Sequence, residues 1–166
     1  NVIFLLLGMM IIIGILKQTG IFQWLACKCF QFAHGNVTVL GVLLLLVTAL
    51  ISALLDNVTT MLLLAPVTIE IALTLKISPL TFLIPEVLAS NVGGAATLIG
   101  DPPNIMIGSF TGLTFMDFVK NLAPICAVSL GALVILSQVF YGRHYRKAKI
   151  GDVEQFIKEL KTSYRI

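Results

Sequence analysis

The sequence predicts an all-α integral membrane fold that includes a re-entrant helical hairpin and one transmembrane helix broken in its middle. Three observations predict it. Apolar residues fill 58% of the 166 positions and charged residues 11%, against roughly 25% charged in a soluble domain. The apolar residues fall into runs long enough to cross a bilayer. Two of these runs are interrupted by polar clusters, at residues 56–60 and 90–104, that a continuous membrane helix would not choose.

Residues 2–16 are apolar apart from Gly8 and Gly14 and read as a transmembrane helix closed by Lys17 and Gln18. The two glycines allow close approach of a neighbouring helix. Residues 20–35 place Lys28, Gln31 and His34 at spacing three, opposite Ile21, Leu25 and Phe32, with Trp24 near one end. That pattern suits a helix lying in the membrane interface, and a short membrane-dipping span is its rival. His34 has no second metal-type residue at helical spacing, which argues against a metal ligand.

Residues 37–75 form two apolar arms around Asp56-Asn57-Val58-Thr59-Thr60, with Pro66 and Glu70 in the second arm. Each arm has about 15 to 18 residues, or roughly 23 to 27 Å at helical rise, just short of the ~30 Å hydrocarbon thickness. Two full crossings with an aqueous turn would account for the lengths. The interruption nevertheless lacks glycine, proline and lysine, the usual residues of an exposed turn. It offers a carboxylate, an amide and two hydroxyls instead. The preferred reading is a re-entrant hairpin with Asp56 and Asn57 at its tip, near the bilayer midplane.

Residues 79–110 read as the broken helix. Pro79 suits a first turn, and the stretch 90–104, S-N-V-G-G-A-A-T-L-I-G-D-P-P-N, holds three glycines, two prolines, two asparagines and an aspartate. Broken backbone at membrane depth is tolerated where protein buries it or where it lines a polar cavity, because lipid cannot satisfy the freed N–H and C=O groups. A phosphate cradle is excluded, since the G-K-[ST] signature is missing. Glu86 lies about 7 Å before the break and about 15 Å beyond Lys76 at helical rise. A carboxylate at that depth is costly unless protonated or paired, which makes it a functional candidate. A structural hydrogen bond to backbone freed by Pro85 is the alternative.

Residues 111–120 read as a polar connection and residues 121–142 as a final transmembrane helix ending in an interfacial Tyr141. The basic cluster Arg143, Arg146, Lys147 and Lys149 follows. With that cluster in the cytoplasm, Lys17, Lys28, His34 and Lys76 also fall inside and Lys120 outside. Residues 1–150 then form the transmembrane unit. Residues 151–166, with Asp152, Glu154, Lys158, Glu159 and Lys161 at helical charge spacing, read as the start of a cytoplasmic linker. No signal peptide is evident, and the sequence reads as a fragment. Cys27, Cys29 and Cys126 lie in apolar surroundings without metal spacing and read as packing thiols.

The segments Leu55-Asp56-Asn57-Val58-Thr59-Thr60-Met61-Leu62-Leu63 and Asn91-Val92-Gly93-Gly94-Ala95-Ala96-Thr97-Leu98-Ile99-Gly100-Asp101-Pro102-Pro103-Asn104 resemble the ion transporter superfamily. The resemblance covers nearly all of residues 1–150. It is strongest to the branch of arsenite permeases, sodium/proton antiporters of the NhaD type and the melanosomal P protein. It implies an elevator-type transporter of two inverted repeats, of which this chain is the N-terminal one, and a homodimeric assembly. Members with a known cation site carry Ser-Asn-Thr at the hairpin tip. Here Asn57 matches the asparagine, Asp56 stands for serine and Val58 for threonine, with Thr59 and Thr60 as neighbouring hydroxyls. The paired motif carries over as Asn91, Gly93, Gly94 and Thr97, with Gly100, Asp101 and Asn104 in the segment that sets the break.

Chemistry supports a site at the two interruptions. Half-helix N-termini after Asn57 and Asn104 would face an anion, while carbonyls near Gly93 and Gly100 and the oxygens of Asp56, Asn57, Asn91 and Thr97 suit a hard cation. Asp56 and Glu86 are the candidates for proton coupling. The expectation is a secondary active transporter, an ion antiporter or ion-coupled anion transporter, using Na+ or H+ and no cofactor. Its membrane would be the plasma membrane or that of a melanosome-like organelle. A passive channel on the same fold and a non-transporting scaffold are the rivals. No nucleophile with its base and no metal cluster is present to suggest an enzyme, and nothing points to nucleic acid.

Overall fold

The computed structural model describes residues 36–147 and, before them, Phe4, Leu7, Gly8, Ile11, Gly14, Ile15, Lys28, Cys29 and 31–33. Most of the expected helix over 2–16, most of the expected interfacial helix over 20–35 and the tail over 151–166 lie outside the described residues. The described residues contain five complete helices and no strand: α1 (Val37–Ser52), α2 (Asn57–Thr74), α3 (Leu80–Ala95), α4 (Pro102–Thr111) and α5 (Phe115–Lys147).

Helix α3 is the axis of the bundle, packing on α1, α2 and α5. Cross-contacts give the directions. Ala49 meets Gly93 and Ser52 meets Gly94, while Ala53 meets Thr97, so α1 and α3 run parallel. Asn57 pairs with Asn91 and Thr68 with Glu86, so α2 runs antiparallel to both, and α1–α2 is a helical hairpin. Tyr145 reaches Thr81 and Gly41, whereas Leu130, Leu133 and Val134 pack on Leu45, Ala49 and Ala89. Helix α5 therefore descends antiparallel to α1 and α3.

Local sequence explains the helix ends. Asn36 caps α1 by accepting from the backbone N–H of Thr38 at 3.0 Å, filling an orphan donor. Helix α2 closes in a Schellman turn, with Lys76 N–H on the Leu73 carbonyl and Ile77 N–H on the Ala72 carbonyl, both 3.0 Å. That turn needs a left-handed residue, and Lys76 supplies it at φ 54°.

Two boundaries differ from the sequence reading. Residues 57–60 are the first turn of α2, with Asp56 as its cap, rather than a polar interruption. The connection expected over 111–120 is shorter, because α5 already starts at Phe115. Thr114 and Asp117 form a capping box there, Thr114 N–H to Asp117 Oδ2 at 2.8 Å and Asp117 N–H to Thr114 Oγ1 at 3.3 Å. The T-x-x-D signal stood in the sequence.

Among the described helices, α2 and Phe115–Arg143 of α5 are long and apolar enough to cross a membrane, while α1 and α3 are shorter apolar helices. Helix α5 turns Val128, Ile135, Val139 and Phe140 outward. Lipid is as apolar as these side chains, so helix association rests on close packing and interhelical hydrogen bonds rather than on escape from water. Gly93 shows the packing term, since a Cβ there would overlap the backbone of Ala49.

Candidate functional site

The turn between α1 and α2 and the break between α3 and α4 lie against each other. Asn57 opens α2 and Asn91 stands in the last turns of α3. The Asn57 side-chain amide donates to Asn91 Oδ1 at 2.8 Å, and the Asn91 amide donates to the Val87 carbonyl at 3.0 Å. Residues 34 positions apart in sequence thus share one hydrogen bond.

Helix ends leave carbonyls without partners, and each interruption satisfies those of the other or of its own broken helix. Thr97 donates its hydroxyl to the Ala53 carbonyl at 2.5 Å and accepts from Gly100 N–H at 3.0 Å. Ser52 donates to the Ser90 carbonyl at 2.6 Å. Asn104 folds back so that its amide reaches the carbonyls of Thr97 at 2.9 Å and Ala95 at 3.2 Å. These bonds explain why the chain can break here without exposing backbone to lipid.

Several expected roles change on this geometry. Gly93 and Gly94 are helical residues of α3, not unwound carbonyl donors to a ligand. Their part is close approach: a Cβ on Gly94 would sit 2.6 Å from the Gly100 oxygen, and one on Gly100 would sit 2.6 Å from the Ser52 oxygen. The first turn of α2 is largely self-satisfied, with Thr59 N–H on Asp56 Oδ1 at 2.8 Å and Val58 N–H on Asn57 Oδ1 at 2.8 Å. Thr59 also gives its hydroxyl to Asp56 Oδ2. Thr60 is fully buried, and its hydroxyl has no partner. At the start of α4, Pro102 and Pro103 carry no N–H, so the donors expected for an anion are missing from those two positions.

What remains open is oxygen. Asp101 caps α4 by position yet makes no side-chain cap bond, and its carboxylate feels the charge of Asp56. The two interruptions bring two helix N-termini and two C-termini together, so their dipoles largely offset one another. The carboxylates of Asp56 and Asp101 are then the formal charges at this place. A groove of about 550 Å³ runs from Asn57 and Asn91 between α2 and α3, lined by Met61, Leu62, Ala65, Pro66 and Val87 among others.

Glu86 lies deeper in the bundle and is 1% exposed. Thr68 of α2 donates to its Oε1 at 3.0 Å, while Oε2 has no partner. The carbonyl freed by Pro85 is that of Thr81, and its partner is Tyr145 at 3.2 Å rather than the expected alternative, Glu86. Sequence reasoning missed Ser52, Thr68 and Tyr145. The first two are hydroxyls inside apolar helices, and the third is signalled by the orphan acceptor that a proline leaves four residues upstream.

The pattern of the family described as citrate transporter matches residues 1–162. An uncharacterized transporter of Mycobacterium bovis is 51% identical over 154 residues, covering 92% of this chain and 36% of its own length. A 46 kDa membrane protein of Mycobacterium leprae is 51% identical over 143 residues, 86% of this chain and 33% of its own. The human P protein is 39% identical over 162 residues, 94% of this chain and 19% of its own. The chain thus spans about a third of the length of the mycobacterial relatives it matches. No solved structure matches it.

Proposed function

This chain belongs to the citrate transporter family, and from that footing we propose that it forms one inverted repeat of an elevator-type secondary transporter. The observation that carries the proposal is the Asn57–Asn91 hydrogen bond, which holds the start of α2 against the last turns of α3, beside the break, and supports a site of the kind that discontinuous helices form. In this reading the α1–α2 hairpin is re-entrant. A coupling cation, Na+ or H+, sits among the oxygens of Asp56, Asp101 and Asn91, with Thr59, Thr97 and Asn104 holding the walls in place. The transported solute is a small inorganic ion or a small organic anion. Citrate is the first to test, given the family's description. The second repeat and a second copy of the protein complete the assembly, in a plasma or organelle membrane.

The preference for a cation at the tip follows from donors and acceptors. The amides of Asn57, Asn91 and Asn104 and the hydroxyls of Thr59 and Thr97 are spent within the protein, whereas the Asp101 carboxylate is not. An organic anion would then bind through the cation, or through donors from the other repeat. Competition between Na+ and H+ for one carboxylate would produce exchange, because the group cannot serve both at once.

The test is flux in proteoliposomes holding the full-length protein. Labelled citrate, arsenite and sodium are each supplied under imposed sodium and proton gradients. Gradient-driven accumulation of one of them, reduced at least tenfold by Asn91→Ala, supports the reading. Downhill flux that no gradient can concentrate would mark a channel instead.

A further inference from the structure

We propose that the Glu86 carboxyl is a proton-carrying site of the transport cycle, separate from the ligand position at the Asn57–Asn91 contact. The inference rests on the transport reading above and adds a second station to it.

The argument begins with an incomplete hydrogen-bond account. Glu86 is among the most buried side chains of the bundle, with Phe82 and Leu40. It receives one hydrogen bond, from Thr68, and Oε2 receives none. A carboxylate removed from water with one oxygen unpartnered and, among the described residues, no cation paired to it is one of the most costly arrangements a protein can hold. Among the described residues, the titratable groups that sense its charge are Cys29, ahead of α1, and Tyr145 on α5. Helix α1 brings Thr48 to the interior, and α2 brings Thr60 and Thr68. None of these is a cation. A proton on Oε2 removes the charge without any new protein contact, and that makes the carboxyl a place where a proton can be loaded and unloaded.

Buried hydroxyls also stand between Glu86 and the tip. Thr60 and Thr68 both belong to its buried face, about 12 Å apart at helical rise. The hydroxyls of Thr60 and Thr48 are buried without partners. Buried hydroxyls in that condition are what ordered water usually satisfies. The interior between tip and Glu86 therefore carries hydroxyls where a purely structural core would carry methyl groups.

Infrared difference spectroscopy on the full-length protein in liposomes tests this directly. The wild type should show a protonated-carboxyl C=O band that shifts in D2O, persists in Asp56→Asn and disappears in Glu86→Gln. Thr68→Val keeps the carboxyl but removes the donor to Oε1, so the same band should move to higher frequency. If Glu86→Gln fails to fold, the Thr68→Val shift carries the test. Vesicles containing a pH-sensitive dye add the functional arm: citrate-driven proton movement should be lost in Glu86→Gln while thermal stabilisation by citrate persists. An unaltered set of carboxyl bands in Glu86→Gln and Thr68→Val overturns the proposal. Absence of any citrate effect in the wild type, with the Glu86 band present, would count against the citrate reading instead and leave the proton site standing.

Discussion

Tyr145 donates its hydroxyl to the carbonyl of Thr81, the acceptor that Pro85 leaves without its helical donor. The ring stacks on Phe82 with centroids 5.3 Å apart, and it packs so closely on Gly41 that a Cβ there would lie 3.1 Å from the ring. One side chain near the end of α5 thus satisfies the carbonyl that Pro85 frees in α3 and reaches α1.

Tyr145→Phe should keep the stacking and lose the hydrogen bond. The orphaned buried carbonyl should cost about 1–3 kcal/mol, read as a lower unfolding temperature of the detergent-solubilised full-length protein. Pro85→Ala restores an N–H to Thr81, so the double variant should recover most of the loss. Equal losses in the presence and absence of Pro85 would show that the hydroxyl has another role.

Gly93→Ala should be far more damaging than an exposed glycine substitution, because its Cβ would meet the backbone of Ala49 rather than a movable side chain. Overpacking of this kind costs about 1–3 kcal/mol or more. Gly131→Ala, where nothing lies within 4 Å, is the control and should leave thermal stability near that of the parent.

Lys76→Gly should stabilise the protein by about 0.5–1 kcal/mol, since the left-handed turn after α2 carries a Cβ it does not need. Calorimetry in one detergent compares the two. A lower melting temperature would mean that the lysine side chain contributes more than its backbone conformation costs.

Asn57→Ala and Asn91→Ala should each weaken ligand-dependent stabilisation by sodium or citrate at least tenfold. Together they should cost little more than either alone, because a single shared contact is lost only once. Additive losses would separate the hairpin tip and the break into independent sites.

The membrane class, the break after α3 and the family were legible in the sequence, since each depends on residue types at fixed positions. A run of apolar side chains needs lipid or protein around it, and a G-D-P-P cluster cannot continue a helix wherever it lies. Helix edges were less legible where one residue can serve two states. Asp56 and Asn57 looked like a polar interruption, yet a cap and a first turn use the same oxygens. What the tertiary structure decided was pairing. That Ser52 serves Ser90, Thr97 serves Ala53 and Tyr145 serves Thr81 depends on which helix lies beside which. The parallel course of α1 and α3 brings Gly93 onto Ala49 and leaves no room for a side chain between them. Hydrogen bonds across 38, 44 and 64 residues of chain have no local signature, because their partners become neighbours only once the helices have packed.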